Sequence, residues 1–221
     1  MIAAVTGATG LLGGNLAIEL LRQGHRVRAT RRRASRIDHL EGFDIQWCDG
    51  DLSEERALTK AFAGADVVFH CAAVVSIRRT ATPEMIRANV DGTRRVVAAV
   101  RAAGGPRLVH CSTVATVGVS ENGQPCTEDA RWNFEEYRLS NGYVVTKRQA
   151  ERIVQQAVEG GLDAVIANPT FMLGPYDVRP SSGQLILDVI KGRVLCYPPG
   201  FNNFVDVRDV ARGAVRAWLR G

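Results

Sequence analysis

Residues 1–24 read MIAAVTGATGLLGGNLAIELLRQG. Met1 to Thr6 is short and apolar, as a buried strand requires. Gly7, Gly10 and Gly13 then fall three apart, and Leu16, Leu20 and Leu21 recur at helical spacing as far as Gly24. A strand that passes through a glycine turn into a helix is the local context in which dinucleotides are held. Glycines let the backbone approach a pyrophosphate, and the helix N-terminus offers free N–H groups and the positive end of a dipole. The spacing here is G-x-x-G-x-x-G. Thr9, Leu11 and Leu12 lie between the glycines and share the candidate cofactor turn.

The next strand, His25 to Arg31, ends in Thr30-Arg31-Arg32-Arg33. An NAD site places an acid about twenty residues after the first glycine, on the ribose 2′-hydroxyl. These positions are basic instead, and the first acid afterwards is Asp38. Guanidinium groups at Arg31 and Arg32 suit a 2′-phosphate, so NADP (NADPH) is expected over NAD.

Alternation continues along the chain. Phe43 to Cys48 reads as a strand, Ser53 caps a helix to about Ala63, and Asp66 to His70 is a strand ending in Cys71-Ala72-Ala73. Thr82 and Pro83 start a helix reaching about Ala103, Arg107 to Cys111 is a strand leading to Ser112-Thr113, and Asp163 to Asn168 is another. Strands alternating with helices predict an α/β fold with a doubly wound parallel sheet. The expected division is a dinucleotide-binding unit over residues 1–170 and a partial substrate region over 171–221, interleaved with it. Ligands of such sheets lie outside the carboxyl ends of the strands. The glycine turn, Arg31 and Arg32, Cys71-Ala72-Ala73, Ser112-Thr113 and Pro169-Thr170 all fall there.

Ser140 to Gly161 reads as an amphipathic helix stopped by Gly160-Gly161. On it Tyr143 and Lys147 lie one turn apart, so both side chains leave one face. A phenol beside an ammonium can serve as an acid/base, and the ammonium is expected to pull the phenol below its ordinary value of about 10. The chain holds four tyrosines and only three lysines, Lys60, Lys147 and Lys191, so the pairing carries some information.

Composition narrows the classes. Of a net charge of +5, seven arginines between Arg22 and Arg36 carry more than the whole. A basic cluster that local fits one small anionic group, and no aromatic platform accompanies it, so no nucleic-acid partner is expected. Cys48, Cys71, Cys111, Cys126 and Cys196 are scattered without C-x-x-C spacing, which reads as reduced thiols in a cytoplasmic protein with no metal site. MIAAVTGATG lacks the features of a signal peptide, and no apolar run is long enough for a bilayer.

TGATGLLGG at the start, NVDGT at Asn89 to Thr93, HCST at His110 to Thr113 and YVVTK at Tyr143 to Lys147 together resemble the extended short-chain dehydrogenase/reductases, the NAD-dependent epimerase/dehydratase superfamily. VRATRRR (Val27 to Arg33), NPTFMLGP (Asn168 to Pro175) and FVDVRDVA (Phe204 to Ala211) are similar to the dihydroflavonol-reductase-like group. The resemblance implies a Rossmann fold and an oxidoreductase that reduces a ketone or aldehyde, or oxidises a secondary alcohol. It implies Tyr143 as proton donor or base and Lys147 as its partner and as holder of the nicotinamide ribose. Thr113 would bind the substrate oxygen, with Ser112 as a neighbouring competitor, and Asn89 would support a proton-relay water behind Lys147. Gly7, Gly10 and Gly13 would line the pyrophosphate, Asp51 and Leu52 the adenine, and Pro169 and Thr170 the nicotinamide. Pairing of two copies through the helices of Asn89 and Tyr143 is also implied. Members of this branch continue with later segments that complete the substrate pocket, so the substrate half is expected to be truncated here. Pocket residues are expected in Val74 to Ile77, Gly118 to Pro125 and Phe171 to Tyr176. Two other readings share the fold: an epimerase or dehydratase of sugar nucleotides with tightly held NAD, and a non-enzymatic dinucleotide sensor.

Overall fold

The computed structural model describes residues 1–121, 123–178, 182–194, 196 and 202–221. Strands β1 (Ile2–Thr6), β2 (Arg26–Arg31), β3 (Ile45–Asp49), β4 (Val67–His70), β5 (Arg107–Cys111) and β6 (Ala164–Ala167) form one sheet in the order β3-β2-β1-β4-β5-β6. All five pairings are parallel. The chain winds outward from β1 in both directions, so the order reverses beside β1, where such folds open a ligand crevice. The doubly wound expectation holds.

Alternation along the central strands sorts the core into two layers. Ala3, Val5, Val67 and Phe69 face α1 (Leu11–Arg22) and α7 (Val207–Arg220), which contributes Ala211, Ala214, Val215 and Trp218. Ala4, Val68 and Leu108 face α2 (Glu55–Phe62), α4 (Gly92–Ala102) and α5 (Gly142–Glu159). Thus α7, although late in the chain, closes the first face of the sheet. Its Trp218 ring stands edge-on to Phe69 at 6.1 Å, and the Trp218 carbonyl accepts from Arg107 at 2.8 Å.

Between β6 and α7 the chain adds a separate parallel pair, β7 (Phe171–Leu173) with β8 (Phe204–Asp206), and the helix α6 (Gly183–Ile190). Leu185, Ile186, Val189 and Ile190 of α6 are exposed, and with Leu173 and Phe204 they line an apolar crevice of about 290 Å³. One helical reading needs correction and another gains a detail. Ser53 does not cap α2; its N–H donates to the Asp51 carboxylate at 2.9 Å and the helix starts two residues later. The helix begun at Thr82 and Pro83 reaches Ala102 as read, but after α3 (Pro83–Met85) it widens into a π-helical turn, Ile86–Asp91, before α4.

Candidate active site

The glycine turn is built by close backbone contact. Gly7 has φ of +76°, and a Cβ there would lie 2.6 Å from the Ala72 nitrogen, so only glycine fits between β1 and the loop after β4. A Cβ on Gly13 would stand 2.3 Å from the Gly7 carbonyl oxygen, so Gly13 lets α1 sit directly on the turn. Gly10 differs. It precedes α1 with no side-chain cap, and a Cβ there would meet only the Gly7 oxygen at 3.4 Å, an ordinary contact. The protein itself does not demand glycine at this position, whereas a phosphate drawn to the uncapped N–H groups of the first turn would. The residues present therefore fit a dinucleotide.

At the far side of the crevice, Asn141 caps α5 by accepting from the Val144 N–H at 3.0 Å. This sets Tyr143 and Lys147 one turn apart, facing the end of β5. The Lys147 ammonium is buried and donates to the Cys111 carbonyl at 2.7 Å. The Thr113 side chain stands close enough to the Tyr143 hydroxyl to pull its pKa down. Ser112 is turned into the interior, with its hydroxyl 3.3 Å from that of Thr116, so of the two neighbours Thr113 is the one beside the phenol. Burial raises the Tyr143 pKa above its ordinary value, against the pull of Thr113. The expected lowering by Lys147 is thus not found: the ammonium is committed to a backbone carbonyl, and desolvation prevails. Burial likewise lowers the pKa of Lys147 itself.

Asn89 is placed by the π-helical turn and its amide is fully used. It accepts from the Val74 N–H at 2.7 Å and donates to the Val74 carbonyl at 3.0 Å and to the Thr146 hydroxyl at 3.1 Å. Its side chain clamps the loop after β4 to α5, and its own carbonyl accepts from Thr93 at 2.6 Å. A direct approach of its amide to Lys147 is not among these contacts.

Behind Thr113 lies a polar cluster that no motif announced. Buried Glu151 accepts from Thr116 at 2.6 Å, from Asn168 at 2.8 Å and from Arg148 at 3.2 Å, and Asn168 also donates to the Thr113 carbonyl at 3.2 Å. The Pro169 carbonyl accepts from the Val114 N–H at 3.0 Å, which ties the strand-end loops of β5 and β6 together. Glu151 stands one turn beyond Lys147, so the spacing Tyr143, Lys147, Glu151 was the available signal.

At the adenosine end the expectations divide. Arg31 is not free: it pairs with Asp49 at 3.3 Å, its register partner on β3, and lies over the Trp47 ring at 5.8 Å. Arg32 is exposed and forms no ion pair among the described residues. The Asp51 carboxylate holds the Ser53 N–H, and Leu52 packs so tightly on α4 that a Cβ at Gly92 would stand 2.9 Å from it. Of the expected pocket segments, Val74 and Ser76 line an open crevice of about 360 Å³ with Arg78 and Arg87, and Leu173 lines the apolar one. Neither cavity is lined by Tyr143 or the glycine turn. Asn122, inside the expected segment Gly118 to Pro125, lies outside the described residues.

Beneath the site two histidines sit side by side on β4 and β5, with ring centroids 5.2 Å apart. His70 is bonded through both nitrogens to the Thr6 and Thr93 hydroxyls, while neither nitrogen of His110 has a partner among the described residues. Burial, helped by Lys147, holds His70 down at about 3 and His110 well below its ordinary 6.5. Unfolded chains would bind these protons below about pH 6.5 and the folded chain does not. Stability should therefore be fully present above that pH and decline as pH falls from about 6.5 toward about 3, by up to about 1.4 kcal/mol per pH unit for each histidine. Urea midpoints that stay level from neutral pH to about pH 5 would contradict this, as would an equally steep decline in His110→Phe.

With the geometry in place, comparison with known proteins gives a consistent picture. Residues 3–220 match the model of the NAD dependent epimerase/dehydratase family. The 4-hydroxy-2-methyl-3-oxo-4-farnesyl-3,4-dihydroquinoline-1-oxide ketoreductase of Stigmatella aurantiaca is 38% identical over 220 residues, 98% of this chain and 64% of its own length. The dihydroflavonol 4-reductase of Arabidopsis thaliana is 32% identical over 198 residues, 82% of this chain and 52% of its own. The crystal structure of gox2253 superposes with a TM-score of 0.88 at 35% identity, over 100% of this chain and 67% of that one. This chain thus spans between about half and two thirds of these relatives' lengths. By its sheet order, its glycine turn and the match over nearly its full length, the chain belongs to the NAD dependent epimerase/dehydratase family.

Proposed function

We propose that this chain carries the dinucleotide cradle and the proton-handling edge of an NADP-dependent oxidoreductase that interconverts a ketone or aldehyde and its alcohol. The observation that carries this reading is the buried Lys147, fixed to the Cys111 carbonyl one turn from Tyr143, at the strand edge that also bears Thr113 and the glycine turn. Bound there, a nicotinamide dinucleotide would supply or accept the hydride. Gly7, Gly10, Gly13 and the first turn of α1 would hold its phosphates, and Lys147, with two ammonium protons beyond the one given to Cys111, its ribose. Tyr143, kept protonated at neutral pH by burial, donates its proton to the substrate oxygen in reduction. Thr113 orients that oxygen and stabilises the charge that develops on it. The name of the Stigmatella ketoreductase supports this direction. The test is turnover of ketones and aldehydes with NADPH and with NADH; consumption of neither on any carbonyl would sink the reading in favour of a sensor.

With Arg31 engaged by Asp49, the 2′-phosphate preference rests chiefly on Arg32. Arg32→Ser should weaken NADPH by about tenfold or more and leave NADH unchanged, because a charged hydrogen bond is worth about 1.5–3 kcal/mol. Equal losses for both dinucleotides in fluorescence titrations would remove Arg32 from the site. The Arg31–Asp49 pair also favours a second reading, a sugar-nucleotide epimerase or dehydratase with bound NAD, and NAD found in the purified protein would support it. We further propose that the chain is cytoplasmic and pairs two copies through the helices of Asn89 and Tyr143, which sedimentation would test.

A further inference from the structure

Cys71 follows the last residue of β4 and Cys111 is the last residue of β5. These strands are parallel neighbours with His70 opposite His110, so the two cysteines come next to each other across the ladder. Both side chains enter a small apolar cluster with Leu12 and Val207, and their sulfurs are 3.3 Å apart. A disulfide needs sulfurs at about 2.05 Å and Cα atoms at about 4.4–6.8 Å. Adjacent strands lie about 4.8 Å apart, so the backbones already stand within that range, and the sulfurs have about 1.2 Å left to close, a pull felt at both strand ends. The thiols share a proton in an S–H···S contact that, with burial, pushes the Cys71 thiol well up, and that brings the Cys111 thiol down. The Lys147 ammonium, fixed to the Cys111 carbonyl, favours the thiolate of each, so Cys111 is the thiolate of the pair. Cys71 is partly exposed, which gives a small oxidant a route in. Cys48 stands on β3, and Cys126 and Cys196 are exposed and belong to no helix or strand.

We propose that Cys71 and Cys111 form a reversible, peroxide-sensitive modification site whose disulfide shuts the dinucleotide crevice. The thiolate of the pair attacks one oxygen of hydrogen peroxide, the O–O bond breaks, and a sulfenic acid and hydroxide result. The second sulfur, as thiolate, attacks the sulfenic sulfur and expels a second hydroxide. Two thiols lose two electrons in all, and peroxide, once the released protons are counted, becomes two waters. A dithiol reductant reverses the bond by exchange. The closed pair would act on two pieces of backbone. One is the Cys71–Ala72 segment on which Gly7 rests, where a glycine Cβ would come within 2.9 Å of the Cys71 carbonyl carbon. The other is the Cys111 carbonyl that anchors Lys147. The effect on NADPH rests on the function proposed above; formation of the bond does not.

The test treats the full chain with one to a few equivalents of hydrogen peroxide, alkylates what remains free, and maps the cross-linked peptides by mass spectrometry. The expected product is a single Cys71–Cys111 link, formed equally in Cys126→Ser and absent in Cys111→Ala, with NADPH affinity at least tenfold weaker and restored by dithiothreitol. Both thiols still open to alkylation, sulfinic acids without a link, or a link between other cysteines would overturn the site. A Cys71–Cys111 link with unchanged NADPH affinity would overturn the closure. Should the reduced protein bind no NADPH, the functional reading fails by itself, and the peptide map still decides the site.

Discussion

Replacing Tyr143 by phenylalanine should lower kcat by about 10²–10⁴-fold, the usual worth of a positioned acid/base, while NADPH binding stays close to that of the parent chain. The separation follows from where the hydroxyl is. It stands beside Thr113, while the ring of a half-buried side chain keeps its place without it. Burial keeps that phenol protonated at neutral pH, so removing the oxygen removes the proton that reduction needs. The Lys147 ammonium is held by the Cys111 carbonyl, not by the tyrosine, so Tyr143→Phe leaves it positioned. Retention of more than about a tenth of kcat would take Tyr143 out of the acid/base role.

The second large effect is a contrast between two glycines of one motif. In Gly13→Ala the new methyl would meet the Gly7 carbonyl at 2.3 Å, backbone against backbone, and neither can turn aside. We expect a loss of about 1–3 kcal/mol or more in stability, as for other overpacked sites, with dinucleotide binding lost alongside it. In Gly10→Ala the methyl finds only an ordinary contact, at a backbone conformation, φ −106° and ψ 174°, that alanine adopts freely. Stability should then change by less than about 1 kcal/mol while NADPH affinity falls by more than about tenfold. Urea unfolding and NADPH titration of both variants decide it. Gly10→Ala that folds and binds like the parent would mean that nothing approaches that backbone.

What could be read from the chain beforehand was whatever repeats along it. Apolar runs such as Ile2–Thr6, Val67–His70 and Arg107–Cys111 gave the strands to within a residue or two, and their alternation with helices gave the winding. Features that depend on register across strands could not be read. The pairing of Arg31 with Asp49 needs β2 beside β3, and the meeting of Cys71 with Cys111 needs β4 beside β5. The π-helical turn carries no sequence mark, so Asn89 could be placed on the right helix but its grip on Val74 could not be foreseen. At Ser53 the local pattern offered a cap, but the chain turns there on the Asp51 carboxylate, which accepts the Ser53 N–H, and the helix begins only at Glu55. For Tyr143 the neighbour was visible and the burial was not, which is why the direction of its shift was misjudged. Glu151 shows the same limit: its spacing from Lys147 was in plain view, but its partners Thr116 and Asn168 come from other elements.

The account turns on a dinucleotide lying between the glycine turn and the Tyr143–Lys147 face. Isothermal titration of the full chain with NADPH tests it most directly, with Gly10→Ala as the matched control. The prediction is saturable binding at one site per chain, markedly weakened in the control. No binding of NADPH or NADH to the folded parent chain, or equal binding to both proteins, would contradict it.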